Sequence, residues 1–194
     1  YLYIYLFIIM SYPSELPDQN NINAYYLPYN YDESTGTWSD LVGTKHFTQA
    51  TSAYRPSLKD DIYNDKFQYV LFTSSNPHTK MTLPYDIANV DNKHTIFVVA
   101  RRGKTVNSNG TITSGDDNGR IIQDTNQNWL GGWWSNREGV FYSNGWLNYN
   151  NRSYENNWTI CAMRRDGSNK AFSCGYTGGN GGPYFTSGIT RSPS

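Results

Sequence analysis

Residues 158–177 read WTICAMRRDGSNKAFSCGYT: two runs carrying apolar residues flank the polar stretch Asp166-Gly167-Ser168-Asn169. A polar, Gly-containing interruption between two such runs is the signal of a β-hairpin. Opposed residues in an antiparallel pair follow from the turn. A two-residue turn at Gly167-Ser168 sets Arg165 against Lys170, Met163 against Phe172 and Cys161 against Cys174; a four-residue loop keeps those pairs. A turn centred on Asp166-Gly167 breaks them. With the cysteines opposed, Cα separations of about 4.5 or about 5.5 Å both fall within disulfide reach. Cys161, Met163, Phe172, Cys174 and Tyr176 then share one face, apolar enough to line a sheet interior. A Cys161–Cys174 disulfide would close a loop of about 14 residues and stabilise by roughly 3 kcal/mol. Two reduced thiols would fill the same face as small hydrophobes. The stretch therefore argues for a hairpin and leaves its redox state open.

Outward from the hairpin, strand-like segments recur at short intervals: 67–73, 80–83, 95–102, 119–123, 129–134, 140–142, 158–165 and 170–176. TIFVVARR (95–102) is the clearest, a β-branched and aromatic run of the kind a buried central strand needs. Turn signals such as SNG, DDNG and SNREG separate these segments. No segment sustains a 3.6-residue apolar period over three turns. Composition agrees: 17 Tyr, 6 Trp and 17 Gly in 194 residues are usage typical of an all-β chain. The length suits one domain with a sizeable core, and no internal repeat or composition break marks a second. The expected organisation is a hydrophobic N-terminal segment and irregular lead-in over 1–23, then a sandwich domain over 24–194.

Several function classes drop away on charge and patterning. Sixteen basic residues balance sixteen acidic ones, for a formal net charge of zero. That argues against nucleic acid or an anionic membrane bound through bulk charge. YLYIYLFIIM (1–10) carries no charge, but ten helical residues cover about half of a bilayer core, too short for a transmembrane helix. It also lacks the basic n-region and small-residue cleavage site of a signal peptide. Three readings of it stand side by side: the tail of a signal or anchor, sequence upstream of a start at Met10, or a strand at a sheet edge or against a neighbouring subunit. The three sequons, at Asn109, Asn151 and Asn157, are what chance supplies in so Asn-, Ser- and Thr-rich a chain.

Trp38-Ser39-Asp40, HFTQATSAYRPSL (46–58), KFQYVLFTSS (66–75), KMTLP (80–84) and HTIFVVARR (94–102) follow one another in an order and spacing that resembles a known family. GRIIQDTNQNWLGGWWSNREGVFYSNGW (119–146) and the Arg165-Asp166-Gly167-Ser168 hairpin continue it. The resemblance is to the laminin-G-like branch of the concanavalin A-like lectin/glucanase superfamily, and it covers roughly 24–180. It implies a jelly-roll sandwich of two antiparallel sheets. Three departures stand out. Leu71-Phe72-Thr73 replaces the family's Phe-Asp-Gly, and Cys174 occupies the usual Asn position. The chain ends at GGPYFTSGITRSPS (181–194) without the family's closing strand. Either the chain is cut short or the sheet is completed otherwise. An incomplete C-terminal edge is open to β-augmentation by YLYIYLFI or by a neighbouring copy.

Catalytic chemistry finds little footing. Relatives that cut polysaccharides carry two carboxylates on one strand face, as Glu-x-Asp-x-(x)-Glu. The four glutamates here, Glu15, Glu33, Glu138 and Glu155, sit in turn-like sequence without that pattern. His46, His78 and His94 lack metal-ligand spacing. No enzyme activity is expected. The one inorganic candidate is Ca²⁺ on Asp116, Asp117 and Asn118, three hard oxygen donors in SGDDNGR, a stretch that also makes a good turn.

Ligand recognition points to the aromatic segment. Trp129, Trp133, Trp134, Tyr142 and Trp146 fall within 18 residues, and flat rings of this kind stack on the apolar faces of sugars. Arg101, Arg102, Arg120 and Arg137 could add planar polar partners or be solvated strand ends, and Arg120 is counted with the candidate site. Strand alternation sends Trp133 and Trp134 to opposite faces, so the core explains at most one of them. The expected function is a non-catalytic glycan-binding or adhesion module, extracellular or on a virion surface, whose partner is a glycan or glycoprotein. The alternative is a structural assembly subunit of a virion, fibre or filament, with homo-oligomeric neighbours and strand exchange between copies.

Overall fold

The computed structural model describes residues 22–61, 64–73, 77–84, 93–100, 105–106, 112–113, 120–123, 129–134, 137–143, 146–148, 159–166, 170–177, 184–185 and 189–190. The architecture is strand-rich, and every strand pair among the described residues is antiparallel. Helical structure among them is confined to two 3-10 turns, Pro28–Asn30 and Ser52–Tyr54. The described residues are strand-rich with antiparallel sheets, consistent with the all-β class that the composition predicts. It falls into two compact units, Tyr1–Asp86 and Ile87–Ser194.

The first unit combines three two-residue strands, tied together by side chains, with one longer hairpin. β1 (Tyr31–Asp32), β2 (Thr37–Trp38) and β3 (Phe47–Thr48) form a three-stranded sheet. β4 (Ser57–Asp61) and β5 (Asn64–Leu71) form a two-stranded one. Tyr31, Trp38 and Val70 are buried together, with Tyr26, Phe47, Leu58, Phe72 and Met81 packed against them. The expected strand at 80–83 is reduced to a single bridge, Thr48 to Thr82. The sequence around Tyr31, where no strand was expected, contributes β1 and core. Two-residue strands carry too few apolar side chains in sequence for periodicity to register.

The second unit is built from longer ladders. β6 (Lys93–Ala100), β13 (Thr159–Asp166) and β14 (Lys170–Thr177) lie side by side. β9 (Arg120–Gln123), β10 (Trp129–Trp134), β11 (Arg137–Ser143) and β12 (Trp146–Asn148) form a second sheet in the order β12-β11-β10-β9. β11 and β12 approach β14, which brings these two sheets together. β7 (Thr105–Val106) and β8 (Ile112–Thr113) make a separate hairpin.

Three expectations are corrected in the β6–β13–β14 sheet. The hairpin exists, but its register differs by one residue: Cys161 stands opposite Gly175, and Cys174 opposite Ala162. Three residues, 167–169, separate the strands, where both cysteine-pairing turns have an even number. An odd loop shifts the register by one and moves every position of one strand to the other face. The Cys161 and Cys174 positions therefore lie on opposite faces and are not opposed as either cysteine-pairing turn would set them.

TIFVVARR was expected as a central strand buried on both faces. β6 instead stands at the end of its sheet among the described strands, paired with β13. Its burial alternates: Val98 and Ala100 are buried, whereas Phe97 is 66% exposed. The β-branched run reads as two-sided because Phe97 and Val99 interrupt the expected polar alternation.

The C-terminal edge is not left open along β14. β15 (Tyr184–Phe185) pairs with it at Cys174 and Gly175, and β16 (Ile189–Thr190) at Lys170 and Ala171. The chain's own final stretch thus occupies those positions. Residues 1–9, expected as a filling strand, lie outside the described residues.

Candidate functional site

All six residues expected to bind ligand fall on the β9–β12 sheet: Arg120 on β9, Trp129, Trp133 and Trp134 on β10, Tyr142 on β11 and Trp146 on β12. The strand register divides them. Gln123, Leu130, Tyr142 and Trp146 form one row across four strands. Gly132 stands opposite both Arg120 and Val140. Opposed residues share a face, and residues two apart on a strand do too. The Arg120, Leu130, Gly132, Trp134, Val140, Tyr142 and Trp146 positions therefore share one face. Trp129 and Trp133 share the other with Gly131.

Burial is described at four positions of this sheet. Gly131 is buried, Ile121 and Ile122 are half-buried, and Gln123, in the row with Tyr142 and Trp146, is exposed. The Trp129 and Trp133 positions share the register of the buried Gly131. Arg120, Trp134, Tyr142 and Trp146 occupy the register of the exposed Gln123. Register shifts next to Gly132, against β9 and against β11, bend the sheet locally. A glycine within a strand leaves no side chain above the sheet and permits close approach of a ligand. Gly132 stands in register among the Arg120, Leu130, Trp134 and Val140 positions.

The first unit carries a second polar cluster, which the sequence reading did not single out. Asp40 is buried, and its carboxylate accepts three backbone N–H groups: Tyr25 at 3.0 Å, Val42 at 3.1 Å and Lys45 at 3.2 Å. The Asp40 N–H donates to His46 Nδ1 at 3.0 Å, so the proton of the neutral imidazole sits on Nε2. Trp38 Nε1 donates to Leu27 O at 2.7 Å, and the Tyr26 hydroxyl to Lys45 O. Each polar group here serves backbone geometry, as buried polar groups must when they have protein partners. Burial, and then the nearby Asp40 charge, push the Tyr26 hydroxyl pKa up. Tyr31 rises from 10.0 to about 12, first through burial and then through the Glu33 charge. Both phenols stay neutral and act as donors.

Arg55, the Arg of the Arg-Pro element in 46–58, is a clamp. Its guanidinium donates to Gln49 O at 2.9 Å, Ala50 O at 2.9 Å and Ser34 O. That joins the 33–36 turn to the loop after β3. Gly36, at φ +70°, passes so close that a Cβ would strike Gln49 O and the Arg55 side chain. Asp32 closes the same turn, accepting from Ser34 N at 2.9 Å and Thr35 Oγ1 at 2.9 Å. The hydroxyl donors of Ser34 and Thr35 hold the exposed Asp32 carboxyl below its usual pKa. The turn signal Asp-x-Ser-Thr-Gly was present in sequence, but no expected strand flanked it.

Asp116, Asp117 and Asn118, the calcium candidates, lie outside the described residues. Among the described residues no three His, Cys, Asp or Glu side chains gather to hold a metal. No described helix is long and apolar enough to cross a membrane. No protein-family model, curated protein or solved structure matches the chain.

Proposed function

We propose that this chain is a non-catalytic glycan-binding module of an extracellular or virion surface, and that the β9–β12 sheet carries its binding face. The second unit would supply the two layers of a jelly-roll sandwich, with this sheet as one of them. One observation carries the reading: the strand register puts the Arg120, Gly132, Trp134, Tyr142 and Trp146 positions on one face, the face on which Gln123 is exposed. Aromatic rings offer a sugar flat apolar surface, and a guanidinium offers paired donors to its hydroxyls. A glycine between them lets the ring of the sugar approach the backbone.

Glycan-array binding followed by calorimetry tests this. Trp134→Ala and Trp146→Ala should each weaken binding about tenfold or more while leaving the melting temperature nearly unchanged. Trp129→Ala should do the reverse, lowering stability first. Absence of glycan binding by the intact chain, or retention of full affinity in the Trp134→Ala/Trp146→Ala pair, would overturn the reading.

A further inference from the structure

The β6 strand presents a feature unrelated to glycan binding. It is eight residues long, Lys93–Ala100, and pairs with β13 at every position without a register shift. No second neighbour of β6 exists among the described strands. KHTIFVVA contains no Pro and no Gly, and its one permanent charge is at its start. Long, regular, apolar edges expose a row of backbone donors and acceptors that a further strand can satisfy, and proteins usually blunt them with a bulge, a Pro or a mid-strand charge. None of these is present in β6. At its middle, Phe97 is 66% exposed and Thr95 is exposed beside it.

We propose that β6 is a self-association edge, across which a second copy of this chain adds its own β6 antiparallel. The symmetry of such a pair limits its register. A two-fold axis perpendicular to the sheet keeps the buried face of both copies on the same side, which requires the pair to be centred on a residue rather than between two. Centring on Phe97 opposes Phe97 to Phe97 of the second copy, Ile96 to Val98 and Thr95 to Val99. The half-buried Ile96 and the buried Val98 and Ala100 then continue one interior face across the joint. The two exposed phenylalanines cover each other, an aromatic cross-strand pair of the kind that stabilises sheets. The two copies of Lys93 fall at opposite ends of the pair, far from each other. The formal net charge of zero leaves no long-range repulsion between copies.

Light scattering across a concentration series, with cross-linking, tests the proposal on the full chain. Wild type should show a monomer–dimer equilibrium. Phe97→Lys, at an exposed position, should keep the circular dichroism spectrum and weaken dimerisation about tenfold or more, because two ammonium groups meet at the axis. In a Cys161→Ala/Cys174→Ala background, Phe97→Cys should oxidise to a covalent dimer, since opposed Cα atoms lie about 4.5–5.5 Å apart. Val99→Cys in the same background should not, because its two copies stand four residues, or roughly 13 Å, apart along the strands. A wild-type monomer at every concentration overturns the proposal. So does a dimer that Phe97→Lys leaves intact, or a Val99→Cys cross-link as efficient as that of Phe97→Cys.

Discussion

The first unit and the β6–β13–β14 sheet of the second solve the same problem, holding extended chain in place, by different means. In the first, β1, β2 and β3 are two residues long each, too short to stand on ladder hydrogen bonds. Side chains do the joining. Arg55 gathers carbonyls from two loops, Asp40 gathers three N–H groups, and Trp38 and Tyr31 donate to backbone oxygens. In the second, eight-residue strands match along their length, so the backbone itself provides the order. The lesson concerns where each is fragile. A clamp fails when one side chain is changed, whereas a ladder spreads its hydrogen bonds over many residues and responds most to changes of register or edge.

The contrast would break most visibly at Trp38. It is 6% exposed, meets Tyr26 and Tyr31 edge-on with ring centroids 6.0 and 6.2 Å away, and donates to Leu27 O. Trp38→Ala should cost about 3–5 kcal/mol in denaturant unfolding. Amide exchange should show protection lost over residues 25–48 and retained over 93–100; simultaneous loss in both would end the distinction between the units. Gly36→Ala comes next. The left-handed backbone costs an alanine about 1–2 kcal/mol, and the collision with Gln49 O adds to it. A thermal melt should therefore show a loss of about 2 kcal/mol or more.

Arg55→Lys sharpens the comparison more gently. One ammonium cannot reproduce the planar fork that serves the Gln49, Ala50 and Ser34 carbonyls, and the orphaned acceptors should cost about 1–3 kcal/mol in the same melt. Tyr31 gives a pH signature of the first unit. Its folded pKa is raised to about 12 from 10.0, so its contribution is fully present below about pH 10 and is lost as pH rises toward 12. Tyr31→Phe should flatten that part of the alkaline stability curve. The smallest effect belongs to the cysteines. With Cys161 opposite Gly175, reductant should leave the melting temperature unchanged, and alkylation of the unreduced, unfolded chain should label two thiols. A shift matching the roughly 3 kcal/mol of a closed loop would contradict the register.

Legibility from sequence followed the same divide. Residues 129–134 are a strand with the bounds that the pattern predicts, and 95–102, 158–165 and 170–176 are recovered within two residues at each end. These are β-branched and aromatic runs between Gly- and Asn-rich turns, where local preference and global fold agree. β1, β2, β3, β4, β7, β8, β12, β15 and β16 were missed, because runs of two to five residues are too short to carry a period. The aromatic site was legible as a set of residues but not as a surface. Alternation along the strand already sends Trp129 and Trp134 to different faces, but only the pairing of β10 with β9 and β11 shows which positions of other strands each one joins.

By itself, then, the sequence determined the strand-rich class, the positions of the long strands, the hairpin at 159–177 and the aromatic content of β10. Those depend on preferences within a few residues. Tertiary structure decided the one-residue register that sends Cys161 and Cys174 to opposite faces, the end position of β6 and the role of Arg55 as a clamp. It also decided which tryptophan positions line the exposed register. The physical reason is the two-residue period of a strand: a shift of one residue changes no local preference, yet it exchanges the two faces of a sheet.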